Sequence, residues 1–275
     1  MQHRQIRYKN SSVSYYRFGS GPRLVLCFHG YGEDATLFSF LGKYAGDRYS
    51  FCALDLPFHG KTDWRDGLDF IEQDLKQIAE KIFADCELDP APAKGHHLLL
   101  GFSLGGRVAL SLYQSAPELV KKLVLLAPDG LKVNFWYWLA TQTWFGSRLF
   151  SFTMKHPGWF FILLKFLNKM GLVNSSVFKF VNYYIGKPGA REILYQRWTG
   201  LRKLKPDLDQ IKKFIRQYQT ETRLVYGKFD RIILPVRGEK FRKGIEEYSK
   251  IMTIDSGHQV VHEKHADAIL KALNE

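Results

Sequence analysis

Ser103 lies at the centre of residues 101–106, which read Gly-Phe-Ser-Leu-Gly-Gly. An apolar run at 97–100 precedes this segment and a helical pattern at 107–116 follows it, so a strand, a sharp turn and a helix should meet at the serine. Glycine two residues to either side leaves room for such a turn. The turn would expose the serine hydroxyl at a helix N-terminus, where developing negative charge is stabilised. The pattern therefore predicts a nucleophilic serine.

A serine hydroxyl becomes a strong nucleophile only when a base takes its proton, and a third group must hold that base in one tautomer. His258 follows the last predicted strand, and Asp230 follows the strand before it. The carboxyl ends of parallel strands share one edge of a sheet, so both side chains can approach Ser103. Asp129, which follows an earlier strand, competes with Asp230 for the role of the acid. We predict catalysis by Ser103, Asp230 and His258, with Asp129 as the alternative acid.

Two backbone N–H groups could stabilise the oxyanion that forms when a carbonyl is attacked. Leu104 directly follows the serine and opens the predicted helix. Tyr31 belongs to the loop His-Gly-Tyr-Gly at 29–32, which follows the first buried strand and can direct an N–H group to the same point. We predict an oxyanion hole formed by the N–H groups of Tyr31 and Leu104. His29 and His59 are expected to brace loops through hydrogen bonds rather than to act as bases.

Strands and helices alternate along most of the chain. Continuous apolar runs such as 24–28 and 50–54 are typical of strands that are buried on both faces. An amphipathic helix is expected from about 66 to 83. Two alternating segments joined at residues 10–11 predict an N-terminal hairpin. The order of these elements predicts an α/β fold with a mostly parallel sheet and helices on both faces.

The alternation of strands and helices stops after residue 130 and resumes near 206. Between these points the pattern is helical, aromatic and basic, and residues 131–205 hold 18 of the 41 aromatic residues and five of the six tryptophans. Residues 131–220 carry 15 Lys and Arg against 3 Asp and Glu, which accounts for nearly all of the net charge of +13. This insertion exceeds an ordinary connection between elements. We predict a core of residues 1–130 and 206–275 and a helical cap at 131–205.

The motifs, in this order, resemble those of the α/β-hydrolase family. They are His-Gly-Tyr-Gly at 29–32, Asp-Leu-Pro-Phe-His-Gly-Lys-Thr at 55–62, the serine turn at 101–106, Gly-Lys-Phe-Asp at 227–230 and Ser-Gly-His at 256–258. The resemblance implies an eight-stranded, mostly parallel sheet, a Ser-Asp-His triad, and neither a metal nor an organic cofactor. Family members with a helical cap after the sixth strand match the insertion. Phe58 departs from the family pattern, in which glycine is usual before His-Gly.

Together these features favour a serine hydrolase that cleaves a carboxylic ester or thioester with a sizeable apolar part. The expected partner is an apolar or amphiphilic ester substrate. The basic cap could also contact an anionic amphiphile or a membrane surface, whereas the sequence carries no signature of nucleic-acid binding. Two alternatives stay open. One is a carbon–carbon bond hydrolase or lyase with the same triad, and the other is a non-catalytic ligand-binding protein on a hydrolase fold.

The N-terminal residues and the cysteines provide evidence on the cellular compartment of the protein. The first residues are polar and show no secretory pattern. Cys27 and Cys52 lie in predicted strands and Cys86 lies near a helix end, without the spacing of metal ligands. We expect three buried thiols in a reducing compartment, and therefore a cytoplasmic protein.

Overall fold

The computed structural model describes residues 1–86, 96–171 and 185–275, and these contain one eight-stranded sheet. In chain order the strands are β1 (Gln2–Tyr8), β2 (Ser11–Gly19), β3 (Arg23–Phe28), β4 (Tyr49–Leu54), β5 (His97–Phe102), β6 (Val120–Leu126), β7 (Glu221–Gly227) and β8 (Ser249–Ile254). Their order across the sheet is β1-β2-β4-β3-β5-β6-β7-β8. β2 pairs antiparallel with β1 and β4, and all other neighbours are parallel. The predicted fold class is therefore confirmed.

The central strands are buried on both faces. Every residue of β4 and β5 is buried, as are five of the six residues of β3. Because successive side chains of a strand point to opposite faces, complete burial means that both faces of this part of the sheet are covered. This explains why the sequences of these strands are continuous apolar runs rather than alternating ones.

Ten α-helices are found among the described residues. They are α1 (Leu41–Tyr44), α2 (Glu72–Cys86), α3 (Leu104–Ser115), α4 (Phe135–Gln142), α5 (Trp144–Lys155), α6 (Gly158–Lys169), α7 (Pro188–Gly200), α8 (Leu208–Tyr218), α9 (Pro235–Arg242) and α10 (Ala266–Asn274). None of the helices in this part of the chain combines the length and the apolar character that crossing a membrane requires.

The helix that was predicted to begin at residue 66 begins at Glu72 instead. The carboxylate of Asp66 accepts hydrogen bonds from the Ser11 hydroxyl and from the backbone and side chain of Asn10, so it is tied to the turn of the β1–β2 hairpin. Gly67 then adopts a left-handed conformation with φ of 81°, which ends any helical path. These contacts with a distant part of the chain override the local helical pattern.

The contacts divide the chain into two compact units. The first comprises Met1–Asp66, Phe70–Lys132 and Leu204–Glu275, and the second comprises Gly67–Asp69 and Val133–Lys203. An ion pair of 2.7 Å between Arg202 and Asp69 lies within the second unit and explains why the short segment at 67–69 belongs to it. Residues 172–184 of the predicted cap lie outside the described residues.

Two of the three cysteines are bonded to each other, and the prediction of three thiols was wrong for them. Cys52 of β4 forms a disulfide with Cys86, the last residue of α2, and their Cα atoms are 7.4 Å apart. Cys27 of β3 is a free, buried thiol, and burial raises its pKa well above the ordinary value. The two cysteines are 34 residues apart in the sequence, and this spacing does not predict a disulfide. They meet because the C-terminal end of α2 lies close to β4 in the folded chain. The cysteines therefore do not indicate a reducing compartment.

Candidate active site

Ser103 lies at the turn between β5 and α3, and its backbone conformation is strained. A φ of 50° with a ψ of −115° lies outside the regions that residues other than glycine normally occupy. Hydrogen bonds hold the turn in place. The Ser103 N–H donates to Leu126 O at 3.0 Å, and the Ser103 carbonyl accepts from the N–H groups of Gly106 and Asp129, both at 2.8 Å. Strand, helix and the loop after β6 thus fix the serine jointly.

Two glycines make this turn possible because other backbone atoms approach them closely. A Cβ added at Gly101 would lie 2.4 Å from Gly105 O, and one added at Gly105 would lie 1.9 Å from Phe28 O. Both contacts are with backbone, which cannot move aside as a flexible side chain could. Glycine is therefore required two residues before and two residues after Ser103, as the sequence indicates.

His258 connects Ser103 to Asp230 through hydrogen bonds at both ring nitrogens. Its Nε2 lies 3.1 Å from Ser103 Oγ, and its Nδ1 lies 2.8 Å from Asp230 Oδ2. A carboxylate only accepts, so Nδ1 carries the hydrogen and Nε2 is left as an acceptor for the serine hydroxyl. This is the tautomer in which Nε2 can take a proton from Ser103.

The carboxylate of Asp230 is fixed in one orientation. Its side chain is fully buried, and Oδ1 accepts hydrogen bonds from the N–H groups of Ile232 at 2.7 Å and Ile233 at 2.9 Å. These residues follow directly after Asp230 in the loop between β7 and α9, so the loop closes around its own carboxylate. With Oδ1 occupied in this way, Oδ2 alone is directed at His258.

Asp129, the alternative acid, makes different contacts. Its carboxylate lies 3.5 Å from Nε of Arg107 on α3, and its N–H group donates to the Ser103 carbonyl. Of the two acids considered from the sequence, Asp230 is therefore the one within hydrogen-bonding distance of His258. Asp129 contributes to the turn at Ser103 through its backbone.

The loop after β3 lies against the serine. A Cβ added at Gly30 would be 3.0 Å from the Phe102 ring and 3.5 Å from Ser103 Cβ, so this glycine allows the loop to approach closely. Tyr31 is the next residue of the loop, and Leu104 is the first residue of α3, where N–H groups have no partner within the helix. Their N–H groups remain the ones that we predict for an oxyanion.

Two histidines brace the loops around the site. Nδ1 of the buried His29 donates to Gly30 O at 2.7 Å while its Nε2 accepts from Leu56 N at 3.2 Å. His59 Nδ1 donates to Pro57 O at 2.9 Å. Both histidines therefore brace loops, as expected.

The bracing role of Asp55 was not predicted from the sequence. This carboxylate is fully buried and accepts from Ala35 N at 2.7 Å and Lys61 N at 2.8 Å. Burial raises the pKa of Asp55 above its ordinary value, although both N–H donors act in the opposite direction. The signal was Gly60, which lies in the same motif and packs directly against this carboxylate.

Phe58 adopts a φ of 64°, in the left-handed region. A residue with a Cβ is strained in that region, whereas glycine enters it freely. This explains why the resemblance noted above leads one to expect glycine there. The departure lies in the loop after β4, and the hydrogen bonds that join Ser103, His258 and Asp230 form with Phe58 in place.

One aromatic ring lies beside His258, and apolar side chains are exposed in the segment around Asp230. The Phe102 ring lies 5.4 Å from the His258 ring, measured between centroids. The segment around Asp230 carries four exposed apolar side chains, which are Phe229, Ile232, Leu234 and Val236. Exposed apolar residues concentrated beside a polar site are typical of a surface that binds an apolar ligand.

A family model described as the alpha/beta hydrolase fold matches residues 23–265. The match covers most of the chain, and the chain belongs to the α/β-hydrolase fold family. The prediction of an enzyme of this class is confirmed at the level of the family.

Two curated relatives illustrate the similarity. The pimeloyl-[acyl-carrier protein] methyl ester esterase of Aeromonas salmonicida is 37% identical over 116 residues, which are 42% of this chain and 41% of that protein. This match thus spans about two fifths of the relative's length. The uncharacterized hydrolase YugF of Bacillus subtilis is 25% identical over 254 residues, which are 89% of this chain and 86% of that protein.

Solved structures share the fold at low sequence identity. An esterase from Thermogutta terrifontis matches with a TM-score of 0.68 and 20% identity, covering 100% of this chain and 98% of that one. A thioesterase domain from the curacin biosynthetic pathway matches with a TM-score of 0.64 and 16% identity, covering 99% of both chains. At such identities the likeness concerns the fold alone.

Proposed function

We propose that this protein is a serine hydrolase that cleaves carboxylic esters or thioesters with a sizeable apolar part. The observation that carries the proposal is the hydrogen-bonded series Ser103, His258 and Asp230, with distances of 3.1 and 2.8 Å. Membership of the α/β-hydrolase family supports it, as do partial matches to proteins named as esterases in Aeromonas salmonicida and Mycobacterium tuberculosis.

The first step of the proposed reaction forms an acyl-enzyme. His258 Nε2 takes the proton of the Ser103 hydroxyl while Oγ attacks the carbonyl carbon, and Asp230 stabilises the imidazolium that results. The carbonyl oxygen becomes an oxyanion, for which the N–H groups of Tyr31 and Leu104 would be the donors. The imidazolium then gives its proton to the leaving oxygen or sulfur as the bond to the carbonyl carbon breaks.

The second step releases the acid and restores the enzyme. His258 takes a proton from water, whose oxygen attacks the acyl carbon, and a second oxyanion forms at the same donors. When this intermediate collapses, the bond between the acyl carbon and Ser103 Oγ breaks and His258 returns the proton to Oγ. Asp230, whose orientation is held by two backbone N–H groups, stabilises the imidazolium and keeps the hydrogen on Nδ1 whenever Nε2 has given up its proton.

Preference for an apolar substrate rests on the surroundings of the site. The exposed side chains of Phe229, Ile232 and Leu234 lie in the same loop as Asp230, where an acyl or alkyl group of a bound ester could cover them. Burial of apolar area contributes about 25 cal/mol per Å², so a longer chain should bind more tightly until these side chains are covered.

Labelling with a fluorophosphonate tests the proposal directly. The reagent reacts with an activated serine, and we expect one label, located on Ser103 by peptide mass spectrometry. Ser103→Ala should lose the label and lower turnover of p-nitrophenyl esters by about three to six orders of magnitude, as triad removals do. Residual activity above about a tenth of wild type would contradict the role of Ser103.

A series of p-nitrophenyl esters from acetate to laurate then separates the reaction classes. We expect kcat/KM to rise with acyl length, because longer chains bury more apolar area. Labelling at Ser103 without turnover of any ester would favour the carbon–carbon hydrolase or lyase. Absence of both label and turnover would favour a ligand-binding protein.

A further inference from the structure

The exposed face of α5 is apolar, which reverses the usual arrangement of a surface helix. Trp144 is 70% exposed and Phe145 is 68% exposed, and Leu149 and Phe152 are exposed as well. At about 100° per residue these four side chains lie within an arc of about 140°. The buried positions of the helix are Gly146, Thr153 and Met154, and Phe150 is half-buried against Tyr195 and Trp198, so the other three aromatic side chains of the helix are exposed. Surface helices ordinarily bury such a stripe.

The same arrangement recurs in α6, which follows after only two residues. Ile162 is 72% exposed, and Leu163 and Phe166 are exposed too. Leu164 is the single buried residue of this helix. Two successive helices thus expose several large apolar side chains. We call the four α5 residues and these three α6 residues the apolar faces of α5 and α6.

Basic side chains accompany the two apolar faces. Arg148 and Lys155 lie on the exposed side of α5, and Lys165 and Lys169 on the exposed side of α6. The guanidinium of Arg148 lies 4.3 Å from the ring centroid of Trp144, so charge and aromatic surface are presented together. The sequence from 131 to 191 contains no Asp or Glu. A partner for this surface must therefore combine an apolar layer with negative charge.

We propose that the apolar faces of α5 and α6 dock on an anionic lipid bilayer, with their axes in the plane of the interface. Exposed Trp and Phe side chains would enter the boundary between headgroups and acyl chains, while Lys and Arg would contact lipid phosphates. Each helix has 12 residues, which suits lying on a bilayer and not spanning it. The proposal does not depend on the proposed esterase activity, because binding to a bilayer is measured without turnover.

Flotation with vesicles tests the docking, using the full chain with Ser103→Ala so that no lipid is hydrolysed. We expect binding to phosphatidylcholine vesicles that contain about 30% phosphatidylglycerol and little binding to phosphatidylcholine alone, because anionic lipid attracts basic side chains. Binding should weaken between roughly 20 and 500 mM salt, as the Debye length shrinks severalfold. Equal binding to both vesicle types, or none to either, would overturn the proposal.

Variants separate the charge from the apolar contact. Arg148→Gln with Lys155→Gln should weaken binding about 25-fold, since each basic residue near an anionic surface contributes a factor of about five. Trp144→Ser with Phe152→Ser should weaken it at least about tenfold through lost apolar burial. The matched control, Lys81→Gln with Lys213→Gln, changes two exposed lysines of the first unit and should bind like the parent.

Two outcomes of the variant series would reject the assignment. If the control pair weakened binding as much as Arg148→Gln with Lys155→Gln, net charge alone would be responsible for binding and no specific face would exist.

The second occupant to exclude is another copy of this chain. Sedimentation velocity showing a dimer that Trp144→Ser with Phe152→Ser converts to a monomer, without any vesicle binding by the parent, would assign the faces to self-association instead.

Discussion

Replacement of Asp230 by asparagine probes the site most sharply, because the structure fixes how the new side chain must sit. In the wild type, Oδ1 accepts hydrogen bonds from the N–H groups of Ile232 and Ile233, and Oδ2 accepts from His258 Nδ1. An asparagine amide at this position cannot direct its NH2 group at two backbone donors. Its oxygen must take the place of Oδ1, and its NH2 group must then face His258.

The reversed hydrogen bond sets the size of the effect. With a donor opposite Nδ1, His258 adopts the tautomer that carries its hydrogen on Nε2, and Nε2 can no longer accept the proton of Ser103. The corresponding substitution in a well-studied serine protease lowers kcat about 10⁴-fold. At about 1.4 kcal/mol per factor of ten, this is a loss of about 5 to 6 kcal/mol of transition-state stabilisation. We expect a loss of that order for Asp230→Asn.

The assay is kcat/KM for a p-nitrophenyl ester, with circular dichroism and a thermal melt to confirm folding. Asp129→Asn is the matched control, since Asp129 pairs with Arg107 and holds the Ser103 turn through its backbone N–H, which the substitution retains. We expect it to keep activity within about tenfold of wild type. A crippled Asp129→Asn beside a near-normal Asp230→Asn would refute the assignment of the acid.

Two further substitutions test the backbone packing at the serine turn and the neutral state of a buried histidine. Gly105→Ala should destabilise the fold by about 3 kcal/mol or more and abolish activity, because its Cβ would lie 1.9 Å from Phe28 O. A thermal melt measures the loss of stability. The control is Gly158→Ala, whose Cβ would meet nothing within 4 Å. Burial, together with the charge of His96, lowers the pKa of His97 from 6.5 to about 4, so the contribution of the neutral histidine to stability is full above pH 6.5 and is lost progressively as the pH falls from 6.5 to 4. Denaturant unfolding at pH 7 and 5 should show a fall in stability that is about 2 kcal/mol larger for wild type than for His97→Leu. An equal fall in stability for both proteins would contradict the neutral, buried state of His97.

The turn at Ser103 could be predicted from the sequence because its cause is local. A Cβ at Gly101 would meet the backbone of Gly105 within the same turn, and an apolar strand and a helix flank that turn. The parallel sheet was likewise predictable, because strands buried on both faces must be continuously apolar. Such signals lie within windows of ten to fifteen residues and do not require the rest of the chain.

The pairing of His258 with an acid was decided by the order of strands. β7 and β8 are parallel neighbours, with Gly227 opposite Ile254, so the loops that begin after these two residues leave the sheet side by side. Asp230 and His258 lie three and four residues further on and therefore meet. From the sequence, Asp129 was equally able to follow a strand at this edge, and only the structure directs its carboxylate to Arg107.

Burial and exposure were the properties that the sequence determined least. Composition predicted a basic, aromatic insertion, but a tryptophan packs inside a helical unit or faces solvent with the same local sequence pattern. Which side of α5 is buried depends on the helices beside it, and the structure leaves Trp144 and Phe145 outside. The disulfide between Cys52 and Cys86 has the same origin. Contacts between residues that are distant in the chain depend on how complete elements pack, and no local propensity encodes that packing.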